Sequence, residues 1–171
     1  MARTLRSVSG KGTPATKVAA ATKVAHTLHE YAHDPAAPSY GTEAADVLGI
    51  DAARVHKTLL ASVERAGGAE FVVAVVPVEA QLDLKALAAA VGAKKAEMAK
   101  PADAERITGY VLGGISPLGQ RKRLLIVIDA DALDHRTMFV SAGRRGLEIE
   151  LSAADLAALT NATFLPIAKR A

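Results

Sequence analysis

V-H-K-T-L-L-A-S-V-E-R-A-G-G-A-E-F-V-V-A-V-V, residues 55–76, is the stretch of this sequence that decides the fold. Its valine and leucine runs predict one β-strand over residues 55–63 and a second over residues 70–76. The second strand is apolar almost throughout, which indicates burial on both faces of its sheet. The core of the protein is therefore expected to form around this sheet.

The rest of the chain mixes short strands with short helices. Further strands are predicted over residues 24–31, 124–128, 137–141 and 147–151, and a loop over residues 33–41. Helices are predicted over residues 14–22 (or on to residue 29), 42–48, 84–91 and 101–108, and a last helix opens at residue 152. Strands outnumber long helices and show no regular βαβ alternation. The predicted fold class is therefore α+β: a single mixed-sheet, partly barrel-like domain flanked by short helices.

Residue types at the predicted helix ends support these boundaries. Thr13 followed by Pro14 suits an N-cap and a first-turn proline. Asp83 can cap the third helix, and Ser152 with Asp155 three residues on resembles a capping pair. The local sequence thus indicates where three of the helices start.

Composition indicates one ordinary soluble domain. The chain has 171 residues, 50% of them hydrophobic and 23% charged, which is enough for a core without disulfides or metal. Residues 1–12 are rich in Ser, Gly, Lys and Arg and are expected to be a disordered extension, with the domain proper at residues 13–171. Since we find no transmembrane run and no signal-peptide pattern, we expect a cytoplasmic protein without membrane contact.

Several chemistries are excluded by what the sequence lacks. There is no cysteine, which removes a thiolate nucleophile of the protein's own and cysteine-bound metal. His26, His29 and His33 have helical ligand spacing, but a strand would put the first two on opposite faces, so no metal site is expected. His56 either modulates the surroundings of its neighbour Lys57 or is an exposed strand histidine, which is the commoner case. No G-x-S-x-G motif or evident Ser/His/Asp set occurs, and no cofactor is expected.

A glycine-rich loop, T-G-Y-V-L-G-G-I-S-P-L-G-Q-R-K-R at residues 108–123, fits neither strand nor helix. Glycine lets the backbone take positive φ and lets another molecule approach its N–H groups, so the loop can cradle an anion or a carbonyl oxygen. It lacks the phosphate-loop pattern G-x-x-x-x-G-K-[ST]. A structural turn is the alternative, but the length of the loop favours contact with a ligand.

Charged residues leave two questions open. Lys57 shares a period-two face with Leu59 and Val63, so its ammonium either points with the core and has a task there or reaches water along its stem. Basic pairs and triplets occur at residues 94–95, 121–123 and 144–145, each assigned to a turn or loop. They form a phosphate-binding rim if the fold brings them together, and scattered solvated charge otherwise.

Six motifs together resemble one family. They are Y-A-H-D-P at Tyr31, Y-G-T-E-A-A at Tyr40, H-K-T-L-L around Lys57, Q-L-D-L-K-A-L-A-A-A-V-G-A-K-K at Gln81, the glycine-rich loop, and V-S-A-G-R-R-G-L-E-I-E-L at Val140. In order and spacing, over about residues 13–168, they are similar to the YbaK/EbsC group of bacterial Cys-tRNA(Pro) deacylases. These are relatives of the editing domain of some prolyl-tRNA synthetases.

The resemblance implies a trans-editing hydrolase that removes cysteine from mischarged Cys-tRNA(Pro), or from Cys-tRNA(Cys), alongside prolyl-tRNA synthetase as a protein partner. It implies Lys57 and Gly113 as the catalytic residues. It implies contacts to the substrate from Tyr31, Tyr40, Thr58, Gly114, Ile115, Ser116, Pro117, Ser141 and Glu148. Contacts to tRNA phosphates are expected from Arg121, Lys122, Arg123, Arg144 and Arg145.

The family mechanism resembles substrate assistance, in which the cysteine thiol of the substrate attacks its own ester. We then expect the Gly113 N–H to meet the carbonyl and Lys57 to lie near the terminal ribose. Two alternatives remain at this point: a noncatalytic module that binds aminoacyl-tRNA or the synthetase, and an enzyme that edits Ala-tRNA(Pro).

Overall fold

The computed structural model describes residues 12–37 and 40–170. The helices in these ranges are α1 (Pro14–Thr22), α2 (Tyr40–Leu48), α3 (Leu84–Ala90), α4 (Pro101–Thr108) and α5 (Ala153–Thr160), with short 3-10 turns at Ala52–Arg54 and Ala130–Asp134. The strands are β1 (His26–Glu30), β2 (His56–Arg65), β3 (Gly68–Pro77), β4 (Gln81–Leu82), β5 (Lys95–Met98), β6 (Leu125–Asp129), β7 (Met138–Arg144), β8 (Leu147–Leu151), β9 (Thr163–Leu165) and β10 (Ala168–Lys169). The expected disorder of residues 1–12 lies, except for Gly12, outside the described residues.

The helix starts follow the predicted caps. The Thr13 side chain accepts a hydrogen bond from the Thr16 N–H at 3.1 Å. The Asp83 and Ser152 side chains do the same for α3 and α5. At the other end of α1, Lys23 takes a left-handed conformation with φ 58°, so the helix does not run on to residue 29. The loop predicted over residues 33–41 is shorter than expected, because α2 already begins at Tyr40.

A mixed five-stranded sheet in the order β5-β2-β3-β6-β9 forms the centre of the domain. β2 is antiparallel to both β3 and β5, whereas β3, β6 and β9 run parallel to one another. The two strands predicted from residues 55–76 are thus the middle pair of this sheet. A second, antiparallel sheet has the order β1-β8-β7, and β4 pairs with β10.

The central strand β3 is buried on both faces, as its apolar sequence predicts. Val73 and Val75 belong to a core between the central sheet and the second sheet, where Val140 and Ile149 also pack. The opposite face of the central sheet contributes Val72, Ala74 and Val76 to another core that α3 covers. Alternating side chains therefore join two cores through one strand.

The predicted mixed α+β fold is confirmed, but within the described residues its strands form separate sheets and no closed barrel. Four short strands, β4, β5, β9 and β10, had no clear signal in the sequence. One of them corrects an interpretation: Lys95 opens β5 instead of lying in a turn with Lys94. β5 also limits how much of β2 is paired, and this shapes the site.

Candidate functional site

A cavity with a volume of about 400 Å³ lies beside the N-terminal half of β2. Its other walls come from α2, the end of β5, α4, the glycine-rich loop, β7 and β8. The lining residues are Gly41, His56, Lys57, Thr58, Leu59, Leu60, Met98, Ala99, Pro101, Ala104, Leu112, Gly113, Ile115, Ser141 and Glu148. Most of these are apolar, which is typical of a ligand pocket with a few polar groups that orient the ligand.

The cavity exists because β5 pairs with only part of β2. Pairing covers Ala61–Glu64 of β2 and ends where the Ala99 N–H donates to the Leu60 carbonyl at 3.0 Å. Pro101 then starts α4 and directs the chain away from the sheet. The edge of β2 from His56 to Leu60 is therefore open towards the cavity on the β5 side.

Gly113 places its backbone at the cavity wall through a tight turn. The Gly114 N–H donates to the Val111 carbonyl at 2.9 Å, and Gly113 has φ +83°. Such a conformation strongly favours glycine. Among the described residues the Gly113 N–H has no hydrogen-bond partner, so it can donate to a ligand atom.

Neighbouring segments hold the glycine-rich loop in place. A Cβ on Gly114 would lie 2.9 Å from Arg144 Cα, so the two backbones touch. Arg145 Nε donates to the Leu112 carbonyl at 2.9 Å, and the Tyr110 hydroxyl donates to the Leu118 carbonyl at 2.6 Å. These contacts fix the loop against the β7–β8 turn, as a preorganised site requires.

Lys57 lies on the predicted face of β2 and lines the cavity. Its side chain is half-buried at the end of the row that continues through Leu59 and Ala61. Burial lowers the pKa of the Lys57 ammonium, because a charge loses hydration in a partly apolar wall. Of the two interpretations, an ammonium placed at a ligand cavity fits the structure better than a stem that only reaches bulk water.

Glu148 is the acidic residue in the cavity wall. It is 7% exposed, and its Oε2 has no hydrogen-bond partner among the described residues. Burial raises the pKa of the Glu148 carboxyl to about 8, so the empty cavity favours the neutral acid at pH 7. Ser141 faces Glu148 across the β7–β8 pair, and its Oγ accepts from the Gly143 N–H at 3.2 Å.

The interpretation of His56 as an exposed strand histidine is wrong, because the residue is buried. It is 3% exposed, and its Nδ1 lies 3.0 Å from the Arg54 carbonyl. Since a carbonyl can only accept, Nδ1 carries the proton of the neutral ring, and Nε2 is left as a buried acceptor without a partner among the described residues. Burial lowers the pKa of His56 to about 4. Strand β2 is covered on both faces, and the apolar period-two pattern of one face in the sequence did not reveal this.

The structure brings six of the expected residues together at the cavity: Lys57, Thr58, Gly113, Ile115, Ser141 and Glu148. Three further expected residues belong to the glycine-rich loop but do not line the cavity. Gly114 packs on Arg144, Ser116 accepts from the Leu118 N–H through its Oγ, and Pro117 lines a separate groove. The Tyr40 side chain lies outside the described residues.

Tyr31 packs against the core cluster that contains Val55 and Phe139. Its N–H donates to the Gly146 carbonyl at 2.9 Å. Burial, and secondarily the charges of Glu148 and Glu43, raise the pKa of the Tyr31 hydroxyl to about 12. Its phenol therefore belongs to the electrostatic surroundings of Glu148, although it is not among the lining residues.

The basic residues take different positions. Arg144 forms an ion pair with Glu30 at 2.8 Å, and Arg145 holds the carbonyl of the cavity residue Leu112. Arg121 packs over Gly109, while Lys122 and Arg123 line the separate groove between the loop, α1 and α5. The charges thus border the glycine-rich loop on more than one side.

The sequence reasoning missed most of the apolar wall. Leu59, Leu60, Met98, Ala104 and Leu112 come from four different elements. Their only local signal is Pro101, which marks where the chain leaves β5. In the described ranges we find neither a helix able to cross a membrane nor a cluster of side chains suited to a metal ion.

The fold and cavity define a class: a small α+β protein that offers one ammonium, one buried carboxyl and one glycine N–H to a ligand in an apolar pocket. The sequence pattern of the aminoacyl-tRNA editing domain family matches residues 34–159. The chain belongs to this family, and it is an enzyme, a hydrolytic aminoacyl-tRNA deacylase. The alternative of a noncatalytic module is therefore set aside.

Two curated relatives are similar in sequence. The Enterococcus faecalis protein named "Putative Cys-tRNA(Pro)/Cys-tRNA(Cys) deacylase EbsC" is 42% identical over 123 residues, 72% of this chain and 73% of that protein. The Escherichia coli "Multifunctional Ser/Thr-tRNA deacylase ProXp-y" is 31% identical over 84 residues, 49% of this chain and 50% of that protein. The resemblance to the YbaK/EbsC group is confirmed.

Two solved structures share the fold. The crystal structure of a hypothetical protein has a TM-score of 0.80 at 20% identity and covers 92% of this chain and 100% of its own. That of "a putative trans-editing enzyme for prolyl tRNA synthetase" has a TM-score of 0.75 at 23% identity and covers 94% of this chain and 99% of its own. At these identities the likeness shows the fold alone.

Proposed function

We propose that this protein hydrolyses the ester between cysteine and tRNA(Pro), with Cys-tRNA(Cys) as a second substrate. The observation that carries this proposal is a cavity that can orient an ester but supplies no evident attacking group. The Gly113 N–H and the Lys57 ammonium both line it, and the chain has no cysteine. The 42% identical relative named for both Cys-tRNA species supports the choice of amino acid.

Ser141 is the hydroxyl that would otherwise be the first candidate nucleophile. Its Oγ accepts a hydrogen bond from the Gly143 N–H, and among the described residues no hydrogen bond links it to a histidine. A serine that is not hydrogen-bonded to a base is a weak nucleophile. We therefore assign Ser141 to substrate binding, together with Thr58 and Ile115, and assign the attack to the substrate.

In the proposed reaction the cysteine thiol of the substrate attacks its own ester carbonyl carbon. A carbon–sulfur bond forms, the bond to the ribose oxygen breaks, and that oxygen takes the thiol proton. The product on the cysteine side is a thiolactone, which water opens to free cysteine. The Gly113 N–H stabilises the carbonyl oxygen as it gains charge, and Lys57 orients the terminal ribose.

Contacts to the tRNA backbone are proposed for the exposed triplet Arg121, Lys122 and Arg123 at the end of the glycine-rich loop. Arg144 and Arg145 add charge beside the cavity, although Glu30 already pairs with the first and Arg145 also supports Leu112. Such phosphate contacts position the acceptor end without selecting its sequence. Choice of tRNA(Pro) would then come from prolyl-tRNA synthetase, proposed as a partner, which co-elution in size-exclusion chromatography tests.

The experiment is deacylation of tRNA(Pro) charged with radiolabelled cysteine, compared with Cys-tRNA(Cys), Ala-tRNA(Pro) and Ser-tRNA. Substrate-assisted attack predicts rapid release of cysteine and slow release of alanine and serine, because a methyl group cannot attack and a hydroxyl is a poor nucleophile at neutral pH. Turnover of Ala-tRNA(Pro) at the rate of Cys-tRNA(Pro) would establish attack by water and overturn the proposed mechanism.

A further inference from the structure

Of the residues that line the cavity, Glu148 alone has an acidic side chain and Lys57 alone an ammonium. They come from different sheets: Glu148 from β8 of the second sheet, Lys57 from β2 of the central one. Burial raises the pKa of the Glu148 carboxyl and lowers the pKa of the Lys57 ammonium, and among the described residues the two form no ion pair. The two groups are separate recognition points in a mostly apolar cavity.

Glu148 is poorly satisfied within the protein. It is only 7% exposed, and its Oε2 has no hydrogen-bond donor among the described residues. A buried polar atom without a partner is costly and is seldom left in that state without a reason. Thr58, which lines the same cavity, also has a buried Oγ1 without a partner among the described residues. The wall therefore presents unused hydrogen-bonding capacity to whatever enters.

An aminoacyl ester brings one cation into this cavity, the α-ammonium group next to its carbonyl. In an apolar wall this group needs a carboxyl to compensate its lost hydration. The Gly113 N–H can donate to the carbonyl, and Lys57 can interact with the ribose and phosphate side. Both are hydrogen-bond donors, so neither can bind an ammonium. Glu148 is the complementary group that remains.

We propose that Glu148 binds the free α-amino group of the aminoacyl ester, and that the enzyme therefore rejects esters whose amino group is acylated. This inference rests on the proposed function, since it assumes an aminoacyl ester in the cavity. It assigns the enzyme a chemical filter: aminoacyl-tRNA is accepted, whereas peptidyl-tRNA and other N-acylated aminoacyl-tRNAs are spared.

The proton balance of this contact is simple. An α-amino group and the buried Glu148 carboxyl, with its pKa of about 8, bind a proton with similar strength. The one proton lies either on the nitrogen, which then donates to the carboxylate, or on the carboxyl oxygen, which then donates to the amine. A hydrogen bond forms in both cases, and it is charge-assisted in the first. Acylation removes both the basicity and two of the hydrogens of the nitrogen, and it adds bulk in a buried corner.

The first test compares Cys-tRNA(Pro) with N-acetyl-Cys-tRNA(Pro), whose thiol is still free to attack. We expect the native enzyme to hydrolyse the free amine about 30-fold faster or more, the equivalent of one charge-assisted hydrogen bond. In Glu148→Gln, which keeps the shape but cannot bind an ammonium ionically, the preference should fall to within about threefold. Glu79→Gln, an exposed change outside the cavity, should keep the full preference.

Equal rates on both esters in the native enzyme, or an unchanged preference in Glu148→Gln, would overturn the inference. Should Glu148→Gln fail to fold, the comparison of the two esters in the native protein decides the matter. A native enzyme that hydrolyses neither ester contradicts the proposed function instead. Binding of 3′-cysteinylamido-3′-deoxyadenosine, a stable amide analogue, then decides separately: at least tenfold tighter binding than its N-acetyl form supports the inference, and equal binding refutes it.

Discussion

The backbone of Gly114 lies directly against that of Arg144, so that a Cβ on Gly114 would come within 2.9 Å of Arg144 Cα. The contact joins the glycine-rich loop to the β7–β8 turn. Gly113, the residue before it, lines the cavity. The placement of the Gly113 N–H therefore depends on a contact between two residues that do not line the cavity themselves.

Gly114→Ala is expected to displace the loop, because backbone atoms cannot yield to the added methyl group. Overpacking of this kind costs about 1–3 kcal/mol of folding free energy, and a 1 Å shift of a positioning group can cost about 100-fold in rate. Thermal unfolding and kcat/KM on Cys-tRNA(Pro) measure the two effects. Gly67→Ala is the matched control, since open space surrounds its Cβ position. Native activity in Gly114→Ala would show that the loop does not position the reacting group.

Gly113→Ala tests the turn itself. Its φ of +83° costs a residue with a Cβ about 1–2 kcal/mol, so the turn should relax and move the N–H away from the cavity. We expect a loss in kcat larger than the change in KM, because a donor to the developing oxyanion acts in the transition state. A variant with raised KM and unchanged kcat would instead assign Gly113 to ground-state binding.

Lys57→Met keeps the length of the side chain and removes its charge. We expect kcat/KM to fall by about 100-fold, as for other electrostatic groups in active sites. The melting temperature should stay the same or rise slightly, since a half-buried ammonium is lost from the wall. Lys85→Met on the exposed side of α3 is the control. Full activity in Lys57→Met would remove Lys57 from the catalytic residues.

His56 makes stability depend on pH in the acid range. Its pKa is about 4 in the folded protein and 6.5 when exposed, so below pH 6.5 the unfolded chain takes up a proton that the folded chain refuses. Stability is lost as the pH falls from 6.5 to 4, by about 3 kcal/mol for this shift. Urea unfolding across this range should show the loss, and His56→Phe should reduce it. An equal slope in the variant would assign the acid sensitivity to other groups.

Glu148 makes folding stability depend on pH in the opposite direction. The pKa of Glu148 is about 8 in the folded protein and 4.5 when exposed. The contribution of this carboxyl to folding stability is therefore complete below pH 4.5 and is lost as the pH rises through 8. Glu148→Gln, which stays neutral, should become more stable relative to the native protein over this interval, by up to a few kcal/mol. Parallel stability curves for the two proteins would contradict a buried acid at this position.

How far the sequence predicts the structure varies with the range of the interactions. Thr13, Asp83 and Ser152 identify helix starts because capping is settled within four residues. The apolar run of β3 identifies a central strand because burial on both faces leaves a continuous pattern. By contrast, β5 and β9 are short and partly exposed, and they exist because a neighbouring strand offers hydrogen bonds.

The candidate site likewise has some features that are visible in the sequence and others that are not. The unusual composition around Gly113 is visible along the chain, and the six-motif resemblance predicted a cavity residue at Glu148. The period-two face of Lys57 is visible too, but it left open whether the ammonium points with the core or reaches water. The burial of His56 and the apolar wall through Met98 and Leu112 are not visible, because those residues meet only after distant elements pack. Nor could spacing show that Ser116 and Pro117 face away from the main cavity.

The sequence by itself determined the class of fold, most helix ends, the glycine-rich loop and the family, since each depends on local conformational preference or on an ordered set of motifs. Only the tertiary structure decided which residues of that loop line the cavity, where β2 remains open, and that the Glu148 carboxyl is buried without a partner among the described residues. The physical reason is that burial and desolvation are properties of an environment. A carboxyl has a raised pKa because of what surrounds it, and those surroundings come from strands far apart in the chain.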